Sequence, residues 1–404
     1  MNLHGPDEAV YLPRGFFWSA VKAGLKASGR SDVALAEAPL GASAAAMFTR
    51  NRVVAAPVEV DRKNLRRSKG RVRAVLVNAG NANCATGAQG LAAAEQSCAV
   101  LGKALEAAPE FIFPCSTGII GVPLPLEKLV AAIPGVVAGL ADDEAALKSF
   151  AAAIMTTDTC MKLASTEFAA GKKTVRIAGV CKGSGMIHPD MATMLVYIFT
   201  DLDAQPGALR SALKTAVEPT FNAISVDGDT STNDTVLLLA SGASAVKLGA
   251  GGVANQFAQA LRAVCASLAE QVVRDGEGAQ HLVRLRIAGA KSMEEARTIA
   301  RSIANSPLVK TAWAGCDPNW GRILSSVGKS GIAVDPARVN IHFGPQQVCK
   351  SGMAHPFDEK TAHEYLKQRE YGIRVELGRG KHSLEFLTCD LTVDYVHINA
   401  DYST

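Results

Sequence analysis

Two short runs constrain this chain most. Met194 to Thr200 (MLVYIFT) is apolar on both faces of an extended backbone, and Thr235 to Ala240 (TVLLLA) is similar. Successive side chains of a strand point to opposite sides of a sheet, so a strand with no polar face must be covered twice. The chain therefore predicts an interior sheet with helices packed against it. Four apolar stripes at helical spacing supply candidates: Leu91–Leu105, Leu209–Val217, Phe257–Val272 and Met293–Ile303. Val72 to Val77 reads as a further buried strand that enters the Asn- and Gly-rich turn NAGNANCATG (78–87). His281–Ile287, Val339–Phe343 and Leu384–Thr388 alternate in the manner of strands. Strands crowd into the C-terminal third, and helices fall between strand groups. Sheets sandwiched by helices fit this order better than a strict βαβ alternation.

Composition narrows the function classes. With 42 Lys and Arg against 38 Asp and Glu, the net charge of +4 is too small for a nucleic-acid binder. The longest uncharged stretch, Ala74–Ala94, carries Asn78, Asn81, Asn83, Thr86 and Gln89, which excludes a membrane span. Asp7 and Glu8 come early and no apolar signal core follows them, so no presequence is expected and the cytoplasm is the predicted compartment. The nine cysteines are odd in number and form no C-x-x-C pair, as for buried reduced thiols. Histidine spacing offers no metal site.

Several familiar motifs fail on inspection. SSVGKS (325–330) lacks the glycine a phosphate loop needs at Ile323. VDGDTSTND (226–234) has Thr232 where a calcium loop needs glycine. No nucleophile elbow and no Ser-His-Asp set can be read. The informative stretch is CKGSGMIHPDMATMLVYIFTD (181–201): a Gly-rich turn, a Pro-initiated turn at Pro189–Asp190, then the buried strand. Thr193 stands where turn becomes strand. Taken alone, it is an ordinary β-branched residue that suits a strand.

KGSGMIHPDMATML, FNAISVDGDTSTNDT (221–235), VRDGEGA (273–279), DPNWGRI (317–323) and YVHINADYST (395–404) together resemble the glutamate N-acetyltransferase, or ornithine acetyltransferase, family. PRGFFWSAVKAGLK (13–26), NAGNANCATG, CSTGIIG (115–121) and IMTTDT (154–159) extend the resemblance over nearly the whole chain. Asp190, Met161 and the order Cys84–Ala85 depart from the family pattern, but none removes a chemical group that the mechanism requires.

The resemblance implies an α+β fold, with helices around two β-layers in an αββα-like sandwich, and a self-processing enzyme whose precursor cuts itself at Ala192–Thr193. The products are an α segment, 1–192, and a β segment, 193–404, woven into one assembly. Cutting frees the α-amino group of Thr193. Its usual pKa, about 7.7–8.0, leaves a useful neutral fraction to take the proton of the Thr193 hydroxyl. The family assigns Thr117 and Gly118 to the oxyanion hole. It assigns substrate contacts to Thr156, Lys182, Thr193, Glu277, Asn399 and Thr404. Lys182 suits a carboxylate and Glu277 an ammonium, while the neighbouring Thr157 leaves the register at Thr156 open.

The implied reaction moves acetyl from N2-acetylornithine to glutamate through acetyl-Thr193, in arginine biosynthesis. Acetyl-CoA is a further donor, and no metal or organic cofactor is expected. The implied partners are small-molecule substrates and a heterotetramer of two α and two β segments. A self-cleaving aminopeptidase of related architecture is the rival reading; it would lack Lys182 and Glu277 as amino-acid clamps.

Overall fold

The computed structural model describes residues 2–188, 194–249 and 252–401. Among the described residues, nine strands form one sheet: β1 (Leu3–His4), β2 (Phe17–Val21), β3 (Val33–Phe48), β4 (Arg71–Asn81), β5 (Ile112–Ile119), β6 (Lys162–Ala170), β7 (Lys173–Lys182), β8 (Leu195–Thr200) and β10 (Thr235–Ala240). Seven form a second: β9 (Ile224–Ser225), β11 (Leu282–Ala290), β12 (Asn340–Phe343), β13 (Gln346–Lys350), β14 (Met353–Ala354), β15 (Glu370–Glu376) and β16 (His382–Cys389). The helices are α1 (Ala56–Arg67), α2 (Gly87–Ala104), α3 (Leu126–Ala138), α4 (Glu144–Ala153), α5 (Pro206–Val217), α6 (Val253–Arg274), α7 (Met293–Ala304), α8 (Pro307–Ala314), α9 (Trp320–Gly328), α10 (Glu359–Leu366) and α11 (Val393–Asp401). The α+β class, with helices packed around two sheets, is the observed architecture.

The first sheet runs β1-β6-β7-β8-β10-β3-β4-β5, with β2 paired to the free side of β3. The two runs that opened the sequence argument, β8 and β10, lie side by side and parallel at its centre. Every residue of both is buried. On one face Val196, Ile198, Val236 and Leu238 pack under α5 and α6. On the other, Tyr197, Phe199, Leu237 and Leu239 meet Phe16, Trp18 and Phe150. Each such side chain contributes roughly 1.5–3 kcal/mol on burial, which is why the apolar run is so strong a determinant.

The sheet curls. The β3–β4 register shifts between Glu37 and Ala42, near Gly41 at φ +74°, and such irregularities bend a strand. Val75, Val77, Phe113 and Cys115 of β4 and β5 share one core with Leu195, Tyr197 and Phe199 of β8. The curl brings the end of β5 toward the start of β8. Leu91, Cys98, Leu101 and Leu105, one predicted stripe, pack α2 with α3 over β3 and β4. The second sheet carries α7, α8 and α9 on its face. Helix α6 covers β6 and β7 and also touches β9 and β16, so it couples the two sheets.

The sequence placed a turn from Asn78 onward, but β4 continues to Asn81 before the chain turns. Asn78 still pairs in register with Val33 on one side and Ser116 on the other. The Pro189–Asp190 turn lies outside the described residues.

Candidate active site

Thr117 and Gly118 end β5, Lys182 ends β7, Glu277 follows α6, and Asn399 sits on α11. Thr156 and Thr157 lie in the segment between α4 and β6. These residues, which arise far apart in the chain, line one pocket together with Gly185, Ser231, Thr232 and Asn233. Ala192, Thr193 and Thr404 lie outside the described residues. The position beside Thr193 is nonetheless fixed by the ladder: Lys182 pairs with Leu195, and Thr235 N–H donates to the Met194 carbonyl at 3.1 Å.

A buried ion cluster supports the pocket. Lys162 Nζ lies 2.7 Å from Asp158 Oδ1 and 2.5 Å from Asp275 Oδ2, and all three side chains are withdrawn from solvent. Asp158 also accepts from the N–H of Gly183 (2.6 Å) and of Thr156 (2.9 Å). Asp275 accepts from the Thr159 N–H at 3.1 Å and from the Thr159 hydroxyl. One cluster thus pins the 156–159 loop, the Gly-rich turn and the loop bearing Glu277. Burial alone would raise the Asp158 carboxyl, but the charges of Lys162 and Lys182 and its hydrogen bonds outweigh this and hold it well below the usual carboxylate range. Burial would likewise lower Lys162, but Asp158 and Asp275 hold it above the usual ammonium range. Sequence reasoning missed all three residues of the cluster. Two of them stood inside quoted motifs, IMTTDT and VRDGEGA, but a pairing across 113 positions has no local signature.

Lys182 is different. Its side chain is buried, yet among the described residues its ammonium has no hydrogen-bond or ion-pair partner. Burial lowers its pKa, opposed by the nearby charges of Asp158, Asp234 and Glu277. Such an ammonium is poised for a ligand anion. Glu277 is held through its backbone N–H to the Ser184 carbonyl at 2.9 Å, and its Oε2 accepts from Asn399 Nδ2 at 2.8 Å. Gly185 packs so closely that a Cβ there would stand 2.5 Å from the Glu277 carboxyl. The two threonines separate by partner: the Thr157 hydroxyl shares a 2.8 Å hydrogen bond with Ser184 Oγ, whereas the Thr156 hydroxyl has no partner among the described residues.

At the other wall, the Thr117 hydroxyl is likewise unpartnered among the described residues. Gly118 has φ +134°, and a Cβ there would lie 2.3 Å from the carbonyl carbon of Gly80. Glycine is thus demanded by a backbone crossing as well as by any ligand. Ser116 Oγ donates to Asn78 Oδ1 at 2.6 Å, and Asn78 Nδ2 donates to the Asn81 carbonyl at 2.9 Å. Asn233 Nδ2 donates to the carbonyls of Ala82 (2.7 Å) and Ser116 (2.8 Å). These amides fix the backbone around Thr117, and the reach of Asn233 to this backbone has no local signature in the sequence.

The Gly-rich turn leaves the pocket through Met186, a left-handed residue at φ +53°. Asp227 holds it there, accepting from the N–H groups of Met186 (2.6 Å) and Ile187 (3.0 Å). Tyr395 of α11 donates its hydroxyl to the same carboxyl at 3.4 Å. Burial pushes Asp227 up to about 6, aided by the charges of Asp229 and Glu277 and opposed by its backbone hydrogen bonds.

A second cavity, of about 970 Å³, is lined by Asp7, Cys160, Arg369 and His397 together with Thr159, Asp275 and Gly278, but by none of the predicted site residues. Among the described residues, no cluster of His, Cys, Asp and Glu could hold a metal ion, and no helix is long and apolar enough to cross a membrane.

The geometry can be set beside known proteins. The arginine biosynthesis bifunctional protein ArgJ of Bradyrhizobium diazoefficiens is 45% identical over 407 residues, covering 98% of this chain and 96% of that protein. The protein of the same name from Thermus thermophilus is 46% identical over 98% of this chain and 100% of its own length. Among solved structures, the crystal structure of arginine biosynthesis bifunctional protein ArgJ from Bacillus halodurans is 42% identical, with 52% of this chain and 100% of that one covered at a TM-score of 0.49. The ArgJ family model matches residues 17–404. The chain belongs to the ArgJ family.

Proposed function

We propose that the chain is an acetyltransferase of arginine biosynthesis. It moves acetyl from N2-acetylornithine to glutamate by way of Thr193, and also charges glutamate from acetyl-CoA. The observation that carries this reading is a convergence. A buried ammonium (Lys182) and a hydroxyl (Thr117), both unpartnered among the described residues, and a carboxylate held by an amide (Glu277, Asn399) face one pocket, next to the turn that binds Met194. The names of the relatives support the pathway.

The chemistry follows from these groups. The Thr193 hydroxyl attacks the acetyl carbonyl and passes its proton to its own α-amino group. The oxyanion is met by the Thr117 hydroxyl and the N–H of Gly118. The C–N bond breaks, the ammonium returns its proton to the departing amine, and ornithine leaves. Glutamate then attacks acetyl-Thr193 by the reverse steps. Lys182 takes the amino-acid carboxylate, Glu277 the ornithine side-chain ammonium, and Thr156, Asn399 and Thr404 complete the contacts. The scheme requires no metal and no organic cofactor.

Thr193 gains its amine by self-cleavage at Ala192–Thr193, giving an α segment 1–192 and a β segment 193–404. They assemble in the cytoplasm as two α and two β segments. Scaled by length, 192 and 212 residues (404 − 192) of a 42.2 kDa chain give fragments of roughly 20 and 22 kDa. The test is to incubate purified protein separately with N2-acetylornithine plus glutamate, acetyl-CoA plus glutamate, and a peptide. N-acetylglutamate from the first two supports the proposal. Peptide hydrolysis without acetyl transfer would establish the aminopeptidase instead, and a single full-length band from active enzyme would exclude self-cleavage.

A further inference from the structure

We propose that Asp32 is a positioning residue of the oxyanion hole, and that it sets the place of Gly118 through a stack of three backbone segments. This rests on the acetyl-transfer reading above. Gly118, at the end of β5, lies against Gly80 of β4: a Cβ on Gly118 would collide with the Gly80 carbonyl carbon and stand 2.5 Å from the Asn81 nitrogen. Gly80 in turn lies against the segment that joins β2 to β3. A Cβ on Gly80 would stand 2.8 Å from the Leu25 carbonyl oxygen and 3.2 Å from the Lys26 nitrogen. Both glycines have positive φ, +134° and +104°. At each step two backbones touch with no side chain between them, and close-packed matter passes a displacement on rather than absorbing it. The place of Leu25 and Lys26 therefore bears on the place of the Thr117–Gly118 peptide.

Asp32 holds Leu25 and Lys26. Its side chain is fully buried, and its carboxylate gathers three backbone donors from one short segment. Oδ1 accepts the N–H of Ala23 at 2.6 Å, and Oδ2 accepts the N–H groups of Leu25 (2.5 Å) and Lys26 (3.0 Å). Its own carbonyl accepts the Ala79 N–H at 2.8 Å, so the residue that grips the segment is tied to β4 one position before Gly80. Lys26 anchors the far side, donating from Nζ to the carbonyls of Ser31 (2.9 Å) and Ala153 (2.7 Å). Hydrogen bonds to an ionised acceptor are the strong ones, and three on one carboxylate fix the conformation of the segment. The motifs PRGFFWSAVKAGLK and NAGNANCATG, which supply no reacting group, thus form the backing of the hole. An oxyanion donor acts only within a narrow range of distance from the developing charge. A small shift of the backing therefore lowers the rate, while the substrate's charged ends keep Lys182 and Glu277.

The experiment measures initial rates of acetyl transfer, and melting, for mature wild type, D32N, T117A, the D32N/T117A double variant and G24P. Asparagine fills the same space as Asp32 but turns an NH2 group toward at least one of the three N–H groups. D32N should lose about tenfold to a hundredfold in kcat, with KM for N2-acetylornithine and for glutamate within about threefold of the wild type. A purely structural role would lower the melting point and leave kcat alone. Both donors of the hole stand on one peptide, so the shift in D32N already weakens the bond that T117A removes. The double variant should therefore fall within about threefold of the worse single variant. Wild-type kcat in D32N overturns the proposal, and so do losses that multiply in the double variant. Gly24 offers a second approach to the same segment: it is exposed, has φ +78°, and a Cβ there meets nothing within 4 Å. Proline cannot take that φ, so G24P reshapes the segment without touching the core. Should D32N stay uncut or lose its cooperative melting, G24P decides. A comparable loss of kcat in a cooperatively melting G24P supports the proposal, and wild-type kcat overturns it. If neither variant gives a mature enzyme that melts cooperatively, the segment belongs to the fold and the proposal falls. A wild type that makes no N-acetylglutamate refutes the functional reading, whereas an active wild type equalled by D32N refutes the role of Asp32 alone.

Discussion

Two buried lysines, Lys162 and Lys182, should respond to the same substitution with opposite signs. Lys162 is fully paired: its ammonium sits 2.7 Å from Asp158 and 2.5 Å from Asp275, with side-chain exposures of 0%, 0% and 5%. Replacing it with methionine keeps the stem and removes the charge, which strands two carboxylates in the interior. Breaking a buried pair by removing one partner costs about 3–5 kcal/mol, a large share of the roughly 5–15 kcal/mol that holds a domain folded. Among the described residues Lys182 has no hydrogen-bond or ion-pair partner, and its desolvation is offset only by the nearby charges of Asp158, Asp234 and Glu277, so K182M removes a burial that is poorly compensated. The unfolding free energy should stay level or rise by up to about 2 kcal/mol. The functional effects run the other way. K182M loses the charge-assisted bond to a substrate carboxylate, worth about 1.5–3 kcal/mol, and kcat/KM falls roughly 10- to 150-fold. Guanidinium denaturation followed by circular dichroism, and initial rates on the mature enzyme, read the two quantities separately. K182M as unstable as K162M would mean that Lys182 is a counter-ion of Asp158 and not a ligand group. K162M with undiminished stability would refute the scaffold role of the ion cluster.

E277Q should still self-cleave and keep its acceptor for Asn399, while substrate use weakens by about 1.5–3 kcal/mol; a variant that fails to process would place Glu277 in the scaffold. T117A should cut slowly but to completion, and its mature turnover should fall about a hundredfold in initial-rate assays, the usual scale for one lost oxyanion donor. Asp227, raised from 3.8 to about 6, binds its proton more tightly folded than unfolded, so its contribution to stability is full below about pH 4 and is lost as pH rises toward 6. Two pH units at about 1.4 kcal/mol each give about 3 kcal/mol, and D227N, measured by denaturant midpoints from pH 4 to 7, should flatten that part of the profile.

The sequence told most where chemistry and covering coincide. β8 and β10 were legible because a strand apolar on both sides has one physical solution. The stripes of α2, α5, α6 and α7 were legible for the same reason at a different period. β3 was not, because VALAEAPLGASAAAMF mixes small residues with a bend at Gly41 and shows no clean alternation. The pocket residues were found as linear motifs, but motifs carry identity without partnership. Nothing in TTDT shows that the Thr157 hydroxyl is taken by Ser184 while that of Thr156 has no partner among the described residues. The resemblance assigns Gly118 to the oxyanion hole, and the structure adds a second demand for glycine, the crossing of Gly80, which no inspection of CSTGIIG could reveal. The Asp158–Lys162–Asp275 cluster and the reach of Asn233 to β5 are products of the curl. They appear only once the two ends of the sheet are brought together.

The same curl explains how a chain can be cut at its active site without coming apart. The strands β8 and β10 follow Thr193, yet β8 is laddered to β7 over Ile177–Lys182, and β10 to β3 over Ser43–Phe48. Both neighbours precede the proposed cut. Segment 193–404 thus inserts its two most buried strands into the middle of a sheet whose flanks belong to 1–192. The Lys162–Asp275 pair and the Asn233 bonds to Ala82 and Ser116 cross the same divide beside the pocket. Breaking one peptide bond leaves every one of these contacts in place. The anchors nearest the bond are also independent of it: Ile187 is fixed by Asp227 and by the N–H of Val226, and Met194 by Asp234 and Thr235. Cleavage can therefore release an amine and open space for an acyl group, while the ammonium, carboxylate and hydroxyl that receive the substrate stay where the folded precursor put them.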